Sequence, residues 1–321
     1  MSVYTKVDSA QLDKFLERYV LGKCLELRPI ATGVTNTNYF LDTDGGSYVL
    51  TLYEHHSDDE IDYILGLQRH LASRSIHCSN PVLDRRGDSF SMLNNRPAAI
   101  IHLLPGSVMK TPTAEHCGII STELARFHLA GKDYDGLRHN PRGLDWMMAA
   151  RDMLDSELNA DDDRLIDACL QDYQAADLAE LPWGAIHADL FHDNALFDGE
   201  HLGGIIDFDY ACVDWYVFDL AVLINDWCVD ADGGLQLDLV DALLESYCKI
   251  RPLDRLELES LPLFLRVTAL RFWLSRLYDK TFPLNGELTT VKSPEEYRHQ
   301  LALRSETSDE LRELFAQLAT A

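Results

Sequence analysis

The chain has 321 residues, with 28 Lys and Arg against 53 Asp and Glu, a formal net charge of −25, and 46% hydrophobic residues. That apolar content calls for a packed core rather than disorder. A surface so negative repels phosphate backbones and anionic lipid, which argues against nucleic-acid and membrane-surface partners, although a divalent cation can still neutralise a small anionic ligand locally. The seven cysteines are scattered, with no C-x-x-C spacing, as suits reduced thiols packed as small hydrophobes. The opening MSVYTKVDSAQLDKF lacks the apolar core of a signal peptide, and runs such as Ala98–Leu104, broken by His102, are too short to span a bilayer. A soluble, cytoplasmic protein is expected.

In chain order, Ser9 is placed to cap a helix carrying Leu12, Phe15, Leu16 and Tyr19 at helical spacing. Strands follow at Leu25–Ile30, Asn38–Thr43 and Ser47–Tyr53, the last two joined by an Asp44-Gly45-Gly46 turn. Asp58–Ala72 reads as an amphipathic helix, and Pro81–Leu83, Ser89–Leu93 and Ala98–His102 as short strands. Pro105-Gly106 breaks regular structure and marks a hinge. Beyond it, Thr113–Ala130, Leu144–Leu158 and Asp163–Ala176 carry helical spacing. A β-rich insert, Ala185–Tyr210, interrupts the helices, which resume near Tyr216, Leu235, Leu256 and Pro294. The expected fold is α+β and bilobal: a small β-rich lobe over 1–103 and a larger, mainly helical lobe over 104–321.

The segment richest in chemistry is His187-Ala188-Asp189-Leu190-Phe191-His192-Asp193-Asn194, followed by Gly204-Ile205-Ile206-Asp207-Phe208. Phosphoryl transfer asks for one carboxylate to take the acceptor's proton and for oxygen ligands to a divalent metal on the nucleotide. An H-x-D-x-x-x-x-N loop offers the base, Asp189, and one ligand, Asn194. A hairpin turning at Asp198-Gly199 leads to the second ligand, Asp207. Asp209 reads as a solvated strand-end residue, with metal or substrate contact as the alternative. No G-x-x-x-x-G-K-[ST] or G-x-G-x-x-G occurs, which removes P-loop and dinucleotide-binding readings.

These motifs resemble the aminoglycoside-phosphotransferase and choline-kinase superfamily, whose fold is similar to that of protein kinases. The resemblance to the homoserine kinases within it runs nearly end to end: GVTNTNYFL and YVLTLYE, RPAAI and LPG, AEHCG and FHLAG, HADLFHDN, GIIDFDYAC, DLAVLINDWC, RPL and RFWLSRLYD. It implies ATP and Mg²⁺ as cofactors, small-molecule substrates, and transfer of phosphate to L-homoserine on the way to threonine. A kinase for choline or an aminoglycoside is an alternative, as is a silent nucleotide-binding protein. The latter is suggested by the third strand, where Thr51 stands in place of a phosphate-binding lysine and no Lys occurs between Lys23 and Lys110. Arg28 and His55 are the substitutes to consider.

Gly33 and Thr35 are expected over the phosphates, with the main chain near Ile101 and Leu103 against adenine. A zwitterionic acceptor needs a cation for its carboxylate and a carboxylate for its ammonium. Arg271 and Arg276 are candidates for the first and Asp226 for the second, with Asn36 nearby and Trp227 as a wall; structural ion pairs are the competing role for the charged three. His128 reads as a satisfied core histidine and His187 as an organiser of loop backbone.

Overall fold

The computed structural model describes residues 5–30, 35–283 and 292–318. Described residues up to Pro105 form one compact unit and those from Gly106 onward another.

The first unit opens with α1 (Ser9–Leu16). Its cap is Asp8 rather than Ser9: the Asp8 carboxylate accepts from the Gln11 N–H at 2.8 Å, and Gln11 Oε1 accepts from the Asp8 N–H at 3.1 Å. Then come β1 (Cys24–Pro29), β2 (Thr37–Thr43), β3 (Gly46–Leu52), α2 (Asp58–Ser73), β4 (Ser91–Leu93) and β5 (Arg96–His102). The strands form an antiparallel sheet ordered β1-β2-β3-β5-β4. Thr43 pairs with Gly46 across the expected turn, where Gly46 takes φ 142°, a value that favours glycine. Alternation along β2 and β3 sends Tyr39, Leu41, Leu50 and Leu52 to one face, against Leu12 and Phe15 of α1. Val49, Ala99 and Ile101 face the other way, against Ile61 and Leu65 of α2. Each fully buried leucine here contributes roughly 1.5–3 kcal/mol. Pro81–Leu83 does not form a strand. It makes a single bridge, Pro81 to Ile101, before Asp84 turns the chain by accepting from the N–H groups of Arg86 and Asp88.

In the second unit, β6 (Ser107–Val108) precedes α3 (Ala114–Gly131), α4 (Leu144–Met153) and α5 (Ala160–Ala175). Helix α4 stops short of the expected Leu158, giving way to a 3-10 turn over Asp155–Glu157. Helix α5 starts early because the Asn159 side chain accepts from the N–H groups of Asp161 and Asp162. Next are β7 (Trp183–Ile186), β8 (Ala195–Asp198), β9 (His201–Ile205) and β10 (Cys212–Trp215). Strands β7 and β10 pair antiparallel, as do β6 with β8 and β8 with β9. The helices α6 (Tyr216–Trp227), α7 (Leu237–Cys248), α8 (Arg255–Thr281), α9 (Glu295–Glu306) and α10 (Ser308–Leu318) follow. Helix α8 is buried along most of its length and packs against α4, α5, α6, α9 and α10. None of the seven cysteines forms a disulfide, and five of them are buried. No described helix is long and apolar enough to cross a membrane.

Candidate active site

Strand β7 ends at Ile186, and the chain turns through Ala188, held at a left-handed φ of 63°. An alanine resists that conformation, so something must hold it. The holder is Asp219, buried in the first turn of α6 beside an apolar run: its carboxylate accepts from the N–H groups of His187 at 2.8 Å and Ala188 at 2.6 Å. His187 braces the same turn. Its Nε2 donates to the Ile206 carbonyl at 3.0 Å, and its Nδ1 accepts from the Asp189 N–H at 3.3 Å. Burial holds both His187 and His128 below the ordinary histidine range, so each is neutral. His128, at the core position expected for it, donates from Nε2 to Asp219 at 3.1 Å.

The loop so fixed presents Asp189 between two donors. Arg271 Nη1 reaches its Oδ1 at 3.2 Å, and Asn194 Nδ2 reaches its Oδ2 at 3.2 Å and its backbone carbonyl at 2.7 Å. Burial pushes the Asp189 carboxyl up to about 7, against the pull of Arg271. The Asn194 side-chain nitrogen is spent on Asp189, and its side-chain oxygen Oδ1 has no protein donor among the described residues. The Asn194 backbone carbonyl accepts from the Ile206 N–H at 2.9 Å, one residue before Asp207. Asp207 takes φ 62° and is exposed. Crowding by protein atoms and the neighbouring Asp209 push its carboxyl up as well, but its contact with water screens that push more than at Asp189.

An amide oxygen without a donor among the described residues, close in the fold to the exposed Asp207 carboxylate, suits a divalent cation. Among the described residues no cluster of three or more protein ligands forms a closed metal cage.

Arg271 comes from the middle of α8 and is 2% exposed. Its guanidinium lies 3.8 Å from the Phe272 ring centroid and 4.6 Å from that of Tyr210. Among the described residues only Nη1 has a hydrogen-bond partner; Nε and Nη2 are buried without one.

Other expectations need correction. Arg276 is spent on Glu296 at 2.6 Å and on the Ser293 carbonyl at 3.0 Å, and lies over the Tyr297 ring. Asp226 is no free ammonium receptor: its Oδ2 accepts from the His192 N–H at 2.6 Å and from His192 Nδ1 at 2.8 Å, anchoring the second half of the loop. Trp227 is 1% exposed and donates from Nε1 to the Leu190 carbonyl at 3.0 Å, so it is a buried anchor rather than a wall. Asp209 lies in a turn beyond β9 rather than at a strand end. It is partly buried and its carboxyl is pushed up to about 7 by burial, against the pull of Arg138.

Two residues were missed. Asp219 was signalled by being a charge inside an apolar run, which requires a partner. Lys292 donates to Asp193 at 2.6 Å, beside Asn194, and no local pattern announces it.

In the first unit, Ile101 is buried in β5 opposite Val49, and Leu103 is exposed just beyond the strand. Asn36 is buried, with its Oδ1 accepting from the Glu54 N–H at 3.3 Å. Thr35 is half-buried, and Gly33 lies outside the described residues. Thr51 donates to Asn38 Oδ1 at 2.7 Å. Arg28 is engaged with Glu26 and Asp42, each at 3.1 Å, whereas His55 is exposed.

Residues 26–253 match the Phosphotransferase enzyme family, APH. The chain is 44% identical to the homoserine kinase of Methylobacillus flagellatus, covering 95% of this chain and 97% of that one. It is 40% identical to that of Methylobacterium radiotolerans, covering 96% and 98%. Among solved structures it is similar to amicoumacin kinase hAmiN in complex with AMP-PNP, Ca²⁺ and Ami, with a TM-score of 0.70 at 20% identity over 95% of this chain and 94% of that one. It is also similar to a microcompartment-associated aminopropanol kinase, with a TM-score of 0.65 at 16% identity over 95% and 99%. The chain therefore belongs to the phosphotransferase enzyme family and, within it, to the homoserine kinases.

Proposed function

We propose that this chain transfers the γ-phosphoryl group of ATP to the hydroxyl of L-homoserine, giving ADP and O-phospho-L-homoserine. Beyond family membership, one observation carries the acceptor: the orphaned Nε and Nη2 of buried Arg271. These two donors lie on one edge of the guanidinium, spaced to meet both oxygens of a carboxylate. Buried donors without partners are costly, and the third nitrogen is tethered to Asp189. A carboxylate on that edge is held within reach of the base.

Asp189 takes the proton of the acceptor hydroxyl as the oxygen attacks, and Asn194 and Arg271 hold its two oxygens in place for this. Asp207 and the Asn194 oxygen would hold Mg²⁺, which when bound neutralises charge on the transferring phosphates. Thr35, Ile101 and Leu103 are the candidates for the nucleotide in the first unit. The intact set of Asp189, Asn194 and Asp207 weighs against a silent nucleotide-binding protein.

The test is ADP release with homoserine, serine, threonine, choline and kanamycin as acceptors. Homoserine is expected to give the highest kcat/KM. Choline or kanamycin turned over equally well would overturn the homoserine reading and leave the kinase reading standing.

A further inference from the structure

The loop that presents Asp189 is tied through Asp219 and His128 to side chains that neither the site nor the reaction has yet involved. His128 Nδ1 lies 2.6 Å from the Tyr247 hydroxyl on α7. Arg251, just past α7, places Nη1 3.2 Å from that hydroxyl and 2.8 Å from Glu257 Oε1 in the first turn of α8. The guanidinium also lies over the Tyr216 ring, 4.6 Å from its centroid, and the His128 ring stacks on the same tyrosine at 4.5 Å. All these hydrogen-bonding residues are nine-tenths or more buried.

The chemistry fixes the direction of every bond in this chain. An arginine can only donate and a carboxylate can only accept. Asp219 therefore takes its bond from Nε2–H of His128, which leaves Nδ1 as the acceptor of the neutral ring. The Tyr247 hydroxyl must then donate to Nδ1, and its oxygen is free to accept from Arg251. Donation runs from Arg251 to Tyr247 to His128 to Asp219, and the same carboxylate accepts from the N–H groups of His187 and Ala188, next to the base.

We infer that Tyr247 and Arg251 are positioning residues for Asp189: they hold the His128 ring in place, the ring's Nε2–H holds the Asp219 carboxylate, and that carboxylate holds Ala188 in its left-handed turn. The inference rests on Asp189 acting as the base. Without the Tyr247 hydroxyl, Nδ1 is left a buried acceptor without its donor, and the ring keeps only one of its two tethers, so its Nε2–H bond to Asp219 loosens. The cost then falls on the orientation of the base rather than on the affinity for either substrate.

The test is steady-state kinetics of Tyr247→Phe and Arg251→Met, alone, combined, and in an Asp189→Asn background. Tyr247→Phe keeps the ring and is expected to lower kcat about tenfold, the scale of a sub-ångström misplacement of a reacting group. KM for ATP and homoserine should stay within about twofold, since neither substrate meets the relay. The double variant should be no slower than the worse single, because both changes interrupt one chain. Arg251→Lys, which keeps a donor, should recover part of the loss. In the Asp189→Asn background, Tyr247→Phe should change the residual rate by less than about twofold.

Thermal unfolding separates folding from positioning. A lowered Tm with unchanged kcat at 25 °C assigns Tyr247 to stability alone and overturns the inference. A tenfold loss that persists in the Asp189→Asn background overturns it as well. If Asp189→Asn itself retains wild-type turnover, the reading of the base fails, and the relay inference with it. Collapse in Asp189→Asn with full activity in Tyr247→Phe removes the relay alone.

Discussion

Arg271 and Asn194 hold Asp189 from opposite oxygens: Nη1 of the first meets Oδ1 and Nδ2 of the second meets Oδ2, both at 3.2 Å. Both donors have another polar atom to offer, the Nε–Nη2 edge of Arg271 and the amide oxygen of Asn194. The base is thus fixed by the two groups proposed to meet the acceptor and the metal.

Replacing the base should separate activity from stability. Asp189→Asn is expected to lower kcat by about 10²-fold or more, with KM for ATP little changed. The same change should stabilise the fold at alkaline pH. The Asp189 carboxyl is pushed up to about 7 in the fold, above its ordinary value. Between about pH 4 and pH 7 the native chain therefore holds a proton that the unfolded chain has lost, and stability falls as pH rises through that window. Without metal or nucleotide, the variant should exceed wild type by roughly 1–2 kcal/mol at pH 8, allowing for partial solvent screening. By pH 4 the difference should vanish. Denaturant unfolding at both pH values reads this, and a variant less stable than wild type at pH 8 would contradict it.

The proposed metal ligands should differ in kind. Asp207→Ala removes a charged oxygen ligand and Asn194→Ala a neutral one, so the first should be the more damaging. Titrating Mg²⁺ should partly restore Asn194→Ala and leave Asp207→Ala inactive. Unchanged Mg²⁺ dependence in both variants would place the metal elsewhere.

Specificity should reside in Arg271. The amine 3-aminopropan-1-ol is homoserine without its carboxylate and leaves the Nε–Nη2 edge unpaired. Its kcat/KM should be about 10²-fold or more below that of homoserine. Arg271→Met should bring the two acceptors to within about tenfold of each other, with ATP binding retained. A preference for homoserine that survives the substitution would move the carboxylate site away from this residue.

Arg276 gives the contrasting case. Its partner Glu296 has a side chain 55% exposed, and such half-solvated pairs contribute about 0–1 kcal/mol. Arg276→Ala should leave KM for homoserine within about twofold of wild type and lower Tm slightly. A tenfold rise in KM would restore Arg276 to the acceptor site.

The parts of the site legible in the sequence are those whose partners are close in the chain. Asp189 and Asn194 are five residues apart and bond to each other, so their spacing carries their relation. The Asp44–Gly46 turn was likewise readable because glycine there meets a local backbone demand. The ion-pair roles of Asp226 and Arg276 could not be read from the sequence because their partners, His192 and Glu296, lie 34 and 20 residues away. A charge on a helix reads the same whether it faces a substrate or a neighbouring helix. Asp219 lay in plain view inside an apolar run, but the loop N–H groups it serves are 31 and 32 residues earlier. The relay through Tyr247 and Arg251 joins three helices and had no local signature.

The hairpin of β8 and β9 separates Asn194 from Asp207. The pairs Ala195 with Ile205 and Leu196 with Gly204 set that separation at its base, while the tip from Asp198 to His201 is exposed and open space surrounds Gly199. Residues inserted at the tip would lengthen the hairpin into solvent and leave its two ends where they are. One residue inserted between Ala195 and Leu196 would instead slide the register and turn the next side chains to the opposite face. Within a few residues the chain thus holds its most permissive position for added length and one of its least, and a reporter peptide spliced after Gly199 should ride on a working catalytic centre.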